Sequence, residues 1–176
     1  MTTAPMPNPI NGATLAQRLV QLLAQPDPML DEAFLRPYWE MHVLPSPKGR
    51  ALPLATFEMG ALDEVALEQL EARDGTWASV TNRVLLKSGV MAHWEPDRRR
   101  ALHAMVDDIG RHIRSAREVS LGNGQKGWRQ PVLITPADGN GLVVPIAIVP
   151  GDDGIEIRSL ITPVTPHRLK ELRGRK

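Results

Sequence analysis

The sequence predicts an α+β fold with helices first and an antiparallel sheet of three to four strands last. Three observations carry that expectation. Leucines recur at helical spacing near the N-terminus. The stretches "LDEVALEQLEARDG" and Pro96 to Arg117 repeat the same 3.6-residue period. Beyond Gly127 the pattern changes to short apolar runs separated by Gly-containing turns, which is the signature of strands.

Residues 1–13 hold Pro5, Pro7, Pro9 and Gly12 without periodicity and are expected to be a disordered lead-in. Residues 14–176 then form one α+β domain, with a helical part over 14–121, a sheet part over 128–164 and a basic tail over 166–176. Thr14 and Gln17 match a capping box, and Leu15, Leu19, Leu22 and Leu23 form the apolar stripe of a first helix that stops near "QPDP". A short second helix, Met29 to Arg36, is expected to end at Pro37, because a proline ring disfavours a helical residue before it. Trp39 to Phe57 reads as a hairpin or two extended segments around "PSPKG".

The "LDEVALEQLEARDG" helix has acidic residues early, Arg73 late and Gly75 as its stop. In "WASVTNRVLLKSGVMAHW" the apolar run Val84 to Leu86 is too short to separate strand from helix, and both remain open. Pro96 suits a first helical position, and Leu102, Met105, Val106, Ile109 and Ile113 share one face, so Pro96 to Arg117 is expected to be the longest helix. The runs "WRQPVLIT", "GLVVPIAIV" and "IEIRSLI" predict a three-stranded antiparallel meander. Pro131 and Pro145 lack ladder donors, which pushes their strands toward edges or bulges. A short basic helix follows from Pro166.

At 176 residues, 42% apolar and 23% charged, the composition is that of a globular domain. Cysteine is absent, which excludes disulfides, thiolate catalysis and Cys-based zinc sites. The longest apolar run, Leu142 to Val149, contains Pro145 and falls far short of the roughly 20 residues of a membrane helix. "MTTAPMPNPINGA" shows no basic segment followed by an apolar one, so a soluble, cytoplasmic protein with no membrane partner is expected.

Net charge is +1, but residues 1–90 carry seven Lys and Arg against ten Asp and Glu, while residues 91–176 carry fourteen against ten. An acidic partner such as a nucleic acid would therefore bind the second half, with Arg98, Arg99, Arg100, Lys126, Arg168 and Lys170 as candidate contacts. The plain alternative is a solvated helix face and a frayed tail.

His103 and His112 lie nine positions apart, about 180° around a helix axis, and cannot share one ion, so no metal site is expected. "GNGQKG" matches G-x-G-x-x-G literally, but a helix precedes it and a strand follows, the reverse of a phosphate cradle, so no cofactor is expected either. There is no G-x-S-x-G. RNA cleavage without a metal needs a base for the 2′-OH, an acid for the leaving 5′-oxygen and cations for the phosphate, and the second half has these groups. Strand alternation places Arg158, Leu160 and Thr162 on one face, with His167 just beyond.

The order "TNRVLLKSGVMAHWEPDRRRALHAMVDDIG", "WRQPVLITPADGNGLVVPIAIV", "IEIRSLITPVTPHR" resembles the small barnase/EndoU/colicin/RelE-like nuclease domains of phage head proteins and bacterial toxins, over about residues 80–168. The resemblance lies in the order of elements, with no signature residue matched. It implies a metal-independent RNase or toxin-like nuclease in which His93 or His103 acts as general base or acid. Arg158 would hold the phosphate, Thr162 would donate a hydrogen bond and His167 would supply the second acid–base group. Against it stands a non-catalytic accessory, immunity-type or assembly protein that docks a protein partner through Leu15, Leu19, Leu22 and Leu23.

Overall fold

The first helix, α1 (Gly12–Leu23), starts two residues ahead of the capping-box threonine. Its leucine stripe does what the spacing requires: Leu19 is fully buried, and Leu15, Leu22 and Leu23 pack half-buried against the main core. The computed structural model describes residues 12–71, 81–120, 131–135, 139–160 and 163–174.

After α1 the chain forms a short strand, β1 (Met29–Asp31), where a helix was expected. Asp31 then caps a 3₁₀ turn, Glu32–Phe34, by accepting from the Ala33 N–H at 2.9 Å. Pro37 does not end a helix, because α2 (Leu35–Tyr38) begins only two residues before it and a first-turn N–H has no helical partner to lose. The helix runs on as a π-helical turn, Trp39–Val43, in place of the expected hairpin, and buries Trp39 and Val43.

Strand β2 (Thr56–Ala61) and helix α3 (Glu64–Glu71) follow, the latter within the stretch the sequence predicts, while Arg73 and Gly75, its expected late cation and stop, lie outside the described residues. The ambiguous Val84 to Leu86 run becomes strand β3 (Arg83–Lys87), with Val84, Leu85 and Leu86 all buried because β3 is an interior strand. Helix α4 (Ser88–Met91) leaves it directly. The expected long helix is divided into α5 (Pro96–His103), with Pro96 in its first turn, a 3₁₀ turn at Val106–Asp108, and α6 (Ile109–Ser115). Leu102, Met105, Val106, Ile109 and Ile113 are buried on both sides of the break, so the apolar period survives it and gives no warning of it.

Strands β4 (Glu118–Ser120), β5 (Val132–Ile134), β6 (Pro145–Pro150) and β7 (Ile155–Leu160) complete the sheet, and α7 (Pro166–Gly174) is the expected C-terminal helix. The meander β5–β6–β7 is antiparallel as predicted, and β4 joins β5 antiparallel. The whole sheet, however, is larger and mixed, with seven strands in the order β1-β2-β3-β7-β6-β5-β4. β1 is parallel to β2 and β3 is parallel to β7. The expectation of a purely antiparallel sheet after a helical half therefore needs correction: β1 to β4 come from that half, and α7 follows the sheet. These strands were hidden because their partners are distant in sequence, as with Val84 opposite Ile155.

The prolines sit at strand ends, not on edges. Pro145 is the first residue of β6, which lies between β7 and β5, and Pro131 precedes β5 and accepts from the Ile148 N–H at 3.1 Å through its carbonyl. Gly154, at φ +150, closes the β6–β7 turn, and a Cβ there would stand 2.6 Å from the Arg83 carbonyl oxygen, so only glycine lets β7 lie this close to β3.

One face of the sheet carries the main core, including Tyr38, Trp39, Phe57, Trp94, Leu133, Ile146, Ile148, Ile155, Ile157 and Leu160. Alternation sends Val132, Ile134 and Ala147 to the other face, where Leu169 of α7 covers them. Among the described residues no helix is long and apolar enough to cross a membrane. The fold is α+β with a mixed sheet.

Candidate functional site

The register of β7 sets up the site. Ala147 pairs with Ser159 but Ile148 pairs with Ile157, so Arg158 is the extra residue of a β-bulge. Parity changes at that point: Ile157 and Leu160 both enter the core, while Arg158 and Ser159 both reach a cleft. This corrects the expected face shared by Arg158 and Leu160. Thr162 lies outside the described residues.

The cleft has a volume of about 540 Å³ and is lined by Gly89, Val90, His93, Trp94, Arg158 and Ser159, a size in the range of roughly 300–1,000 Å³ common to small-molecule sites. It lies between α4, which leaves the C-terminal end of β3, and the C-terminal part of the parallel neighbour β7. Crevices beyond the carboxyl ends of parallel strands are a recurrent ligand position. Arg98 adds a second cation at the border, its Nη1 donating to Ser159 Oγ at 3.0 Å.

Most arginines outside the cleft are paired, the exceptions among the described residues being Arg18, which lies over the Phe34 ring, and Arg50. Arg36, Arg83, Arg100, Arg111, Arg114, Arg117 and Arg168 are each held by a carboxylate. Among the described residues no carboxylate lines the cleft. Neither the Arg158 guanidinium nor the His93 imidazole has an ion pair or hydrogen bond among the described residues. The arrangement is therefore one exposed imidazole, two guanidinium groups and a hydroxyl around a space with no described carboxylate in its lining, although Glu95 and Asp97 stand near Arg98 on its outer side, and it suits an anionic ligand.

The turn that carries His93 and Trp94 is fixed from below by Arg99. Only 1% exposed, Arg99 donates through Nη1 to the carbonyls of Val43 (2.8 Å) and Ser46 (2.7 Å) and through Nη2 to those of Met91 (3.1 Å) and Ala92 (2.9 Å). Its own carbonyl accepts from Trp39 Nε1 at 3.1 Å. Burial pulls the Arg99 pKa below its usual value. As a nucleic-acid contact Arg99 is thus corrected: it sits inside the protein and organises the turn. Helical spacing with Leu102 and Val106 sets Arg99 apart from Arg100, but Arg98 stands at equal or better spacing with Leu102 and Met105, so no local signal distinguishes Arg99 from Arg98.

The remaining candidates are dispersed. His103 closes α5, about 10 Å along the helix from Pro96, and its Nε2 lies 3.0 Å from Glu40 Oε1. Arg36 bonds Glu40 at 3.2 Å and, through Nε, Asp107 at 2.7 Å. The hydrogen bond to His103 is the main reason that the Glu40 pKa is lowered, and Asp107 is the main reason that of Arg36 is raised. His103 does not line the cleft. His167 is on α7 with its side chain 86% exposed and 3.4 Å from Glu171.

Arg100 is paired with Asp97, Arg168 bonds Glu171 at 2.8 Å, Lys170 is exposed, and Lys126 lies outside the described residues. Ser159, Gly89, Val90 and Trp94 were not singled out from the sequence. Among the described residues no group of three or more His, Asp or Glu side chains is placed to hold a metal ion. Compared with protein-family models, curated proteins and solved structures, the chain matches none.

Proposed function

We propose that the protein is a metal-independent RNase, a toxin-like nuclease of phage or bacterial type, whose site is the cleft between α4 and the bulge of β7. The observation that carries this reading is the meeting of His93 with Arg158, 65 positions later in the chain, in a cleft lined by no carboxylate among the described residues. In the proposed reaction His93 accepts the proton of a ribose 2′-OH, and the 2′-oxygen forms a bond to phosphorus. The bond from phosphorus to the 5′-oxygen breaks, that oxygen takes a proton from water, and a 2′,3′-cyclic phosphate remains. Arg158 and Arg98 hold the non-bridging oxygens as their charge grows, and the Ser159 hydroxyl, which accepts from Arg98, donates to the same phosphate.

The alternative, docking of an inhibitor or assembly partner through Leu15, Leu19, Leu22 and Leu23, draws little support because that stripe packs in the chain's own core. The test is incubation of single-stranded RNA with the purified protein in EDTA. Cleavage that survives chelation and falls by about 100-fold or more in Arg158→Ala supports the reading. A parent protein that leaves the RNA intact overturns it.

A further inference from the structure

The cleft has two chemically different walls. Arg158 and Ser159, from β7, form one. Gly89 and Val90 of α4, with His93 and Trp94 of the turn after it, form the other, which is mainly apolar. A groove that only tracked phosphates would need no apolar wall.

Two details of that second wall stand out. A Cβ built on Gly89 would meet nothing within 4 Å, so the glycine is not there to relieve crowding, and Gly89 lines the cleft with its missing side chain as open space. Gly89 stands in the first turn of the four-residue α4, where no close contact calls for glycine. Trp94 is only 4% exposed and packs on Trp39 with ring centroids 6.0 Å apart. Its indole N–H has no hydrogen-bond partner among the described residues. The only fully buried side-chain polar atoms without a hydrogen bond there are Nε of Arg83, which is ion-paired with Glu58, and Nε of Arg99. The indole N–H therefore keeps solvent contact, and Trp94 is one of the residues that line the cleft.

We propose that this wall seats a nucleobase beside the phosphate held by Arg158 and Arg98. Gly89 leaves room for the base, Val90 covers its face, and the Trp94 indole N–H donates to a base carbonyl oxygen. The proposal rests on the nuclease reading and narrows its substrate to an unpaired nucleotide with a keto-bearing base, since a base inside a duplex has its face stacked and its carbonyls paired.

The test uses the full chain and two probes, uridine 3′-monophosphate and inorganic phosphate, titrated calorimetrically at low ionic strength. The parent is expected to bind the nucleotide at least about tenfold more tightly than phosphate, as burial of one base edge and one hydrogen bond allow. Gly89→Leu, which fills the seat, is expected to abolish that advantage while phosphate affinity stays within about twofold. Trp94→Phe keeps the ring and removes the donor, and is expected to weaken the nucleotide alone by about three- to tenfold. Retained phosphate binding shows that either variant is folded. Nucleotide binding no tighter than phosphate, or unchanged in both variants, overturns the base seat and leaves the nuclease reading standing. A parent that binds neither probe overturns both.

Discussion

Two regions of this molecule hold a histidine beside arginines, and they differ in what those cations face. Around His103, each charge has a partner: Glu40 lies 3.0 Å from the imidazole, and Arg36 bridges Glu40 and Asp107. Around His93, among the described residues, the neighbouring Arg158 has none and no carboxylate lines the cleft. The first region has its electrostatics satisfied within the chain, as surface networks do, at a gain that is typically about 0–1 kcal/mol. The second leaves the demand for negative charge open. Residue type alone does not separate two such regions; the availability of each charge does.

The largest expected effect tests whether the cleft depends on its buried support. Arg99→Met leaves four carbonyls without their donor, and urea unfolding should show a loss of at least about 3 kcal/mol. A loss under about 1 kcal/mol would mean that the turn bearing His93 and Trp94 is held by its apolar packing alone. Next comes His93→Ala, expected to slow RNA cleavage by about 100-fold, near 2.7 kcal/mol, with unfolding stability within about 0.5 kcal/mol of the parent. Glu40→Gln, on the paired side, should change cleavage by less than about threefold and stability by no more than about 1 kcal/mol. If it behaved like His93→Ala, the contrast between the regions would disappear.

The smallest expected effect is a pH dependence. Burial lowers the pKa of His42, which packs on Tyr38 with ring centroids 5.2 Å apart. The unfolded chain then binds this proton more readily than the folded one. Its contribution to stability is full above about pH 6.5, the unfolded value, and is lost as pH falls through the lowered folded value. Urea unfolding at pH 7.5 and pH 5 should show a smaller drop in His42→Gln than in the parent.

Local periodicity made α1, α3, α7 and the β5–β7 meander legible in the sequence, since each is specified by neighbours a few residues away. Nothing local marks β1 or the parallel pairing of β3 with β7, whose partners lie 27 and 71 positions away in register. The site was legible only in pieces. His93 and Arg158 stood out by chemistry, but "IEIRSLI" contains no sign of the bulge that turns Arg158 and Ser159 to the same cleft. His103 and His167 have the same chemistry and different neighbours: Glu171, four residues after His167, is visible in the sequence, whereas Glu40 reaches His103 only in three dimensions.

The contrast between the two histidines is tested most directly by the initial rate of cleavage of single-stranded RNA in EDTA, measured side by side for the parent, His93→Ala and His103→Ala. A loss of about 100-fold or more in His93→Ala, with His103→Ala within about threefold of the parent, is the predicted result. A His103→Ala loss as large as that of His93→Ala, or cleavage unaffected by His93→Ala, would contradict a site placed between α4 and β7.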